Sequence, residues 1–173
     1  EKQPVLVSNG NKESVEELPD GRQKQVFFDP VPKACYLYAV VAGKLDQRQD
    51  HFVTRSGRDV QLNVFVEKGK GDMSGYAIES LKKAMKWDED TFGREYDHDV
   101  FNIVAVSNFN SGACENTSLN IFNDKYVLVD DKRATDADYA SVESVVGHEY
   151  FHNWSGNRVT LRDWFDLTLK EGL

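Results

Sequence analysis

The chain has 173 residues, 40% hydrophobic and 29% charged, the make-up of an ordinary globular protein long enough to bury a substantial core. Its formal net charge of −8, with no basic stripe interleaved with aromatics, argues against nucleic acid as a partner. No apolar run approaches the roughly eighteen residues of a membrane helix and no signal peptide opens the chain, so no membrane partner is expected.

Residues 1–43 read as β structure. Pro4-Val5-Leu6-Val7 precedes Ser8-Asn9-Gly10-Asn11, a turn cluster of the hairpin kind. A polar run from Gln23 to Phe28 leads to Pro30-Val31-Pro32, and Cys35 to Val41 follows as a nearly continuous apolar strand closed by Gly43. With few helical signals, this block suits the C-terminal end of a β-rich domain. Residues 44–173 read as a second unit. Phe52-Val53-Thr54 and the run Val60 to Val66 alternate as strands around Ser56-Gly57-Arg58-Asp59. Ala77, Ile78, Leu81, Ala84 and Met85 mark an amphipathic helix. Phe101 to Val106 is a buried-type strand, and Leu119-Asn120-Ile121-Phe122 and Tyr126-Val127-Leu128-Val129 look like two more. The expected class is α+β, a mixed sheet with a long helix beneath it. Cys35 and Cys114 make neither a disulfide framework nor a structural zinc spacing, which suits a reduced, cytoplasmic compartment. Both ends read as the middle of a longer chain.

The helix is announced by Thr135-Asp136-Ala137-Asp138, an N-cap hydroxyl with an acid three residues on. Tyr139, Val142, Val145, Val146 and Tyr150 recur at helical spacing, and Ser155-Gly156-Asn157 is expected to end a helix of about twenty residues. Its second half carries His148-Glu149-Tyr150-Phe151-His152. Histidines four apart lie on one helix face and aim both imidazoles at one point. Two such nitrogens and a carboxylate leave a tetrahedral zinc ion one open position for water. Glu149, about 100° further round, sits near that water without facing the metal, as a metalloprotease general base does. Gly147 costs about 1 kcal/mol in a helix interior, so a strand or substrate is expected to pack against it.

After eighteen intervening residues comes Glu171. A second, shorter helix starting at Arg162 or Asp163 gives Trp164, Leu167 and Thr168 one stripe, with Glu171 on it and pointing inward. A buried carboxylate needs a cationic partner, and a metal supplies one. Between two strands runs Asn108-Phe109-Asn110-Ser111-Gly112-Ala113-Cys114-Glu115-Asn116. Gly112 and Ala113 leave room for a peptide to bond their backbone as an added strand, and Glu115 can hold a positive charge. Taken by themselves, those residues favour the simpler reading, a hairpin loop with a small-residue turn and a solvated acid.

Taken together, Gly112-Ala113-Cys114-Glu115-Asn116, then His148-Glu149-Tyr150-Phe151-His152-Asn153-Trp154, then Glu171 closely resemble the aminopeptidase N (alanyl aminopeptidase) family of gluzincin metallopeptidases, in its bacterial and organellar branch. The similarity extends through Leu119 to Asn123, Gly156-Asn157-Arg158-Val159-Thr160, Trp164-Phe165, Cys35-Tyr36-Leu37 and Lys86-Trp87-Asp88, and so covers essentially the whole chain. It implies the end of an all-β N-terminal domain over 1–43 and the first part of a thermolysin-like catalytic domain over 44–173. His148, His152 and Glu171 would hold one zinc ion. Glu149 would take a proton from zinc-activated water and pass it to the leaving amine. Glu115 would bind the free α-ammonium of a peptide substrate, with Gly112 and Ala113 contacting its backbone. The implied partners are peptides with a free N-terminus and the rest of the parent chain, an upstream β domain and a downstream helical one; the implied compartment is cytoplasmic or organellar.

Three departures matter. Cys114 stands where the family usually has methionine. Ser111 stands where relatives often have an apolar residue lining the first side-chain pocket, which predicts a broad or smaller-residue preference. The family's oxyanion-stabilising tyrosine lies beyond Glu171, and losing such a donor costs on the order of a hundredfold in rate, so the 173 residues alone are expected to be weakly active or inactive. Two alternatives stand beside the aminopeptidase: a non-catalytic zinc-binding fragment or pseudoenzyme, and an epoxide-hydrolysing gluzincin relative.

Overall fold

The computed structural model describes residues 5–172, so the Pro4 start of the first expected strand and Leu173 lie outside the described residues. The fold is the expected mixed α+β one, and its centre is a five-stranded sheet. In chain order its strands are β5 (Leu45–Val53), β6 (Asp59–Glu67), β7 (Val100–Val106), β8 (Ala113–Cys114) and β9 (Leu119–Asn123), arranged in space as β5-β6-β7-β9-β8. β6, β7 and β9 run parallel, while β5 and β8 pair antiparallel at the two edges. Parallel strands are normally covered on both faces, and the sequence of β6 and β7 shows it. Val60, Leu62, Val64, Val66, Phe101, Ile103 and Ala105 face one way, where helices α1 (Gly75–Phe92) and α2 (Asp136–Phe151) cover them with Ile78, Leu81, Met85, Val142, Val146 and Tyr150. Phe65, Val104 and Leu119 face the other way and pack on Val7.

That second layer is a β1 (Val5–Ser8) and β4 (Val40–Gly43) pair, with a separate β2 (Asn11–Glu17) and β3 (Gln23–Phe28) hairpin beside it. The expected hairpin across Ser8-Asn9-Gly10-Asn11 is not there. β1 pairs antiparallel with β4, and β2 with β3. The turn residues serve a longer-range purpose. Asn9 donates to the Leu37 and Thr117 carbonyls and accepts from the Ala39 amide. Gly10 has φ of +79°, and a Cβ there would lie 2.2 Å from the Phe28 carbonyl oxygen. Gly10 N–H also donates to Ser118 Oγ at 2.6 Å, holding Ser118 at the φ of +56° that turns the chain into β9.

Two further expected strands differ. Cys35–Leu37 is a 3-10 turn followed by the shorter β4, because Asn9 takes the Leu37 carbonyl that a ladder would have used. Asp124–Tyr126 is likewise a 3-10 turn, capped by the Asn123 side chain, and Val127 and Val129 are buried under the helices without joining the sheet. Apolar alternation cannot tell a strand from a loop that dips into the core. No helix among the described residues is long and apolar enough to cross a membrane.

Candidate active site

The site grows from α2. Thr135 accepts from the Asp138 amide and Asp138 accepts from the Thr135 amide, the reciprocal cap expected from the sequence. The helix is shorter than expected: it ends at Phe151, with His152 as its C-cap. Beyond it the chain tightens into turns, Asn153 N–H bonding the Tyr150 carbonyl and Asn157 N–H the His152 carbonyl. This curl brings the Ser155 carbonyl to His152 Nδ1 at 2.8 Å. A carbonyl only accepts, so Nδ1 carries the proton and Nε2 is left with its lone pair. Burial holds His152 below its ordinary pKa, which keeps it neutral.

His152 Nε2 lies 3.0 Å from His148 Nε2, and Glu171 Oε2 lies 3.3 Å from the first histidine's Nε2 and 3.4 Å from the second's. A tetrahedral ion with bonds of about 2.0–2.1 Å separates its ligand atoms by about 3.3 Å. Three donor atoms thus sit at the corners of one tetrahedral face, and the set of two imidazoles and a carboxylate fits zinc. The fourth direction is open: the side chains of His148 and Glu171 are 32% and 39% exposed, that of His152 only 2%.

Glu171 reaches this position by a route the sequence did not show. The expected helix is a 3-10 turn, Trp164–Asp166, started by Asp163 accepting from the Phe165 amide, and a single-turn helix α3 (Thr168–Glu171). The supposed inward stripe is outward, since Trp164 is 63% and Leu167 39% exposed. The buried residue of α3 is Lys170, and Glu171 follows from where Lys170 is anchored. Lys170 Nζ donates to Glu115 Oε1 at 2.7 Å and also to Glu171 Oε1. These bonds outweigh burial and keep Lys170 protonated, and the same contact draws the Glu171 carboxyl below its ordinary range although burial alone would raise it. Gly156 permits the approach: at its φ of +129° a Cβ would lie 3.0 Å from Lys170 Cδ and 3.3 Å from His152 Nδ1.

Glu149 and Glu115 form the inner wall. Both are buried, and with His152 they offer three ligand-type atoms within 4.8 Å of one another. Glu149 Oε2 has no hydrogen-bond partner, and burial, then the charges of Glu115 and Glu171, push its carboxyl up to about 8. Such a group is poised to exchange a proton near neutral pH. Glu115 follows β8, the edge strand, whose Ala113 and Cys114 pair with Phe122 and Ile121 and leave their outer side without a ladder partner among the described residues. Gly112 adjoins β8 and its carbonyl accepts from the Asn123 amide; Ser111 beside it is exposed. Cys114 is half-buried and unpaired, its thiol pushed up to about 11 by burial and then by the Glu115 and Glu149 charges, so it behaves as a small hydrophobe.

Gly147 is not packed against anything: a Cβ there would meet no atom within 4 Å. It lies beside Trp87, Phe92 and Phe151, an open aromatic face between α1 and α2. Sequence reasoning also missed Lys170, Tyr36, whose ring lies 5.9 Å from Lys170 Nζ, and Asn157, whose Nδ2 donates to the Glu115 carbonyl. Nothing in their spacing marks them, because each acts across a long stretch of chain.

Residues 76–173 match the model of the peptidase family M1 domain. The chain is 58% identical over 172 residues to "Aminopeptidase N" of Haemophilus influenzae and equally to that of Escherichia coli, in each case over 99% of this chain and 20% of the relative. Among solved structures it is similar to Legionella pneumophila aminopeptidase A in complex with aspartic acid, with a TM-score of 0.94, 42% identity, and coverage of 98% of this chain and 20% of that one. The chain therefore spans about a fifth of the length of the curated relatives it matches.

Proposed function

Because the chain belongs to peptidase family M1, we propose that the protein carrying it is a zinc-dependent aminopeptidase that removes the N-terminal residue of peptides. The observation that supports this best is the convergence of His148 Nε2, His152 Nε2 and Glu171 Oε2 at 3.0–3.4 Å beside a buried, unpartnered Glu149 carboxylate. A zinc ion held by those three residues supplies Lewis acidity and brings the pKa of a water down to about 7.

The other roles belong to the chain's own groups. Glu149 Oε2, buried and without a hydrogen-bond partner, takes the proton of the attacking water and returns it to the leaving amine. Glu115 holds the substrate's α-ammonium by a charge-assisted hydrogen bond, which limits cleavage to the first peptide bond. The free edge of β8, with Gly112 and Ala113, aligns the peptide as an added strand, and the polar Ser111 offers the first side chain no apolar wall.

The test is Glu149→Ala in the full-length protein, read by zinc content and by hydrolysis of an alanyl amide. Zinc stays bound and turnover falls by about 10²–10⁴-fold, the usual worth of a general base. Turnover retained with zinc bound excludes Glu149 from that role.

A further inference from the structure

The lysine between the two carboxylates has no part in the reaction described so far. Its side chain is 4% exposed, and the partners of its ammonium are the proposed amine-binding carboxylate and the proposed third metal ligand. It takes one oxygen from each. Glu115 gives Oε1 to Lys170 and its Oε2 accepts no hydrogen bond from any described residue; Glu171 gives Oε1 and keeps Oε2 toward the two imidazoles. Its stem is fixed as well, lying against Gly156, whose missing Cβ leaves just enough room, with the Tyr36 ring 5.9 Å from the ammonium. Three carboxylates, Glu115, Glu149 and Glu171, crowd this wall, and Lys170 is the cation in contact with two of them.

We propose that Lys170 is a positioning residue that brackets Glu115 and Glu171, fixing the spacing between the subsite for the substrate's ammonium and the metal centre. The proposal rests on the aminopeptidase reading above. One rigid nitrogen shared by two carboxylates sets the separation between amine and scissile carbonyl, and so makes the site count a single residue. A partner that orients a metal-bound carboxylate is commonly worth 10–100-fold in metal affinity. Here the same bond also orients the amine-binding acid, so the two properties move together.

The experiment compares wild type with Lys170→Met in the full-length, zinc-loaded protein. Three quantities are read: zinc affinity by chelator competition, KM and kcat on an alanyl amide, and the thermal midpoint. The bracket predicts zinc held about tenfold or more weakly and KM raised about tenfold, as for a lost bond to a charged group, with kcat changing less. Should the Met variant not fold, Lys170→Arg is measured instead; it keeps the charge, cannot place one nitrogen between both carboxylates beside Gly156, and shifts both quantities in the same direction. Wild-type zinc affinity and KM in the folded variant, or a change in the thermal midpoint alone, overturns the bracket. A wild-type protein that neither binds zinc nor cleaves the amide instead overturns the aminopeptidase reading itself.

Discussion

Asp88 offers a quantitative check on the packing of the site helix. It lies on α1 facing α2, is 1% exposed, and neither of its carboxylate oxygens has a hydrogen-bond partner. Burial pushes its pKa from the ordinary 3.8 up to about 6. In the unfolded chain the group ionises near pH 4, so between pH 4 and 6 the native state holds a proton that the unfolded state has released. Stability therefore falls as pH rises through that window, by up to about 1.4 kcal/mol per unit and about 2–3 kcal/mol in all. Asp88→Asn removes the titration and keeps the shape. Urea unfolding of both proteins at pH 4, 5, 6 and 7 should show the variant gaining on wild type by about 2–3 kcal/mol across the series, with the gain levelling off above the folded pKa. Parallel pH dependences, or a gain largest at acid pH, would refute the assignment of a desolvated, unpaired carboxylate under α2.

Gly147→Ala should raise the unfolding midpoint of the 173-residue chain, by about 1 kcal/mol of helix propensity, because the added methyl meets nothing within 4 Å; a lower midpoint refutes the open face. Asp97→Ala should destabilise by about 1–2 kcal/mol, since the half-buried Asp97 accepts from Asn153, contacts His98 and pairs with Arg158, tying down the turn that carries the Ser155 carbonyl. Equilibrium unfolding checks this, and a loss under about 0.5 kcal/mol contradicts it. Exposed Ser111 predicts that alanyl amides are hydrolysed at least as well as leucyl and phenylalanyl amides; a strong bias toward the bulky pair contradicts that.

The sequence displays those features in which local pattern and function coincide. The capping box at Thr135, the i, i+4 histidines and the acid next to them are all local, and the helix places them as the period requires. The runs of β6, β7 and β9 are visible because each buries at least one continuous face, whereas β5 shows only its Phe52-Val53 end, since none of its residues is fully buried and most of the strand is polar. Failures occur where a side chain is claimed by a distant partner. Asn9 diverts a turn into a bond with Thr117, and Val127 to Val129 enter the core without pairing. Glu171 reaches the histidines although the stripe expected to carry it faces solvent, because the buried element is the neighbouring lysine and its partner is 55 residues away.

The most direct test of the whole account is a crystal structure of the zinc-loaded protein with data collected on both sides of the zinc absorption edge. The account predicts one anomalous peak bonded to His148 Nε2, His152 Nε2 and a Glu171 oxygen at about 2.0–2.2 Å, with Glu149 outside the coordination sphere. A peak seated instead among Glu115, Glu149 and His152, the other such cluster among the described residues, would contradict it, as would no peak at the paired imidazoles.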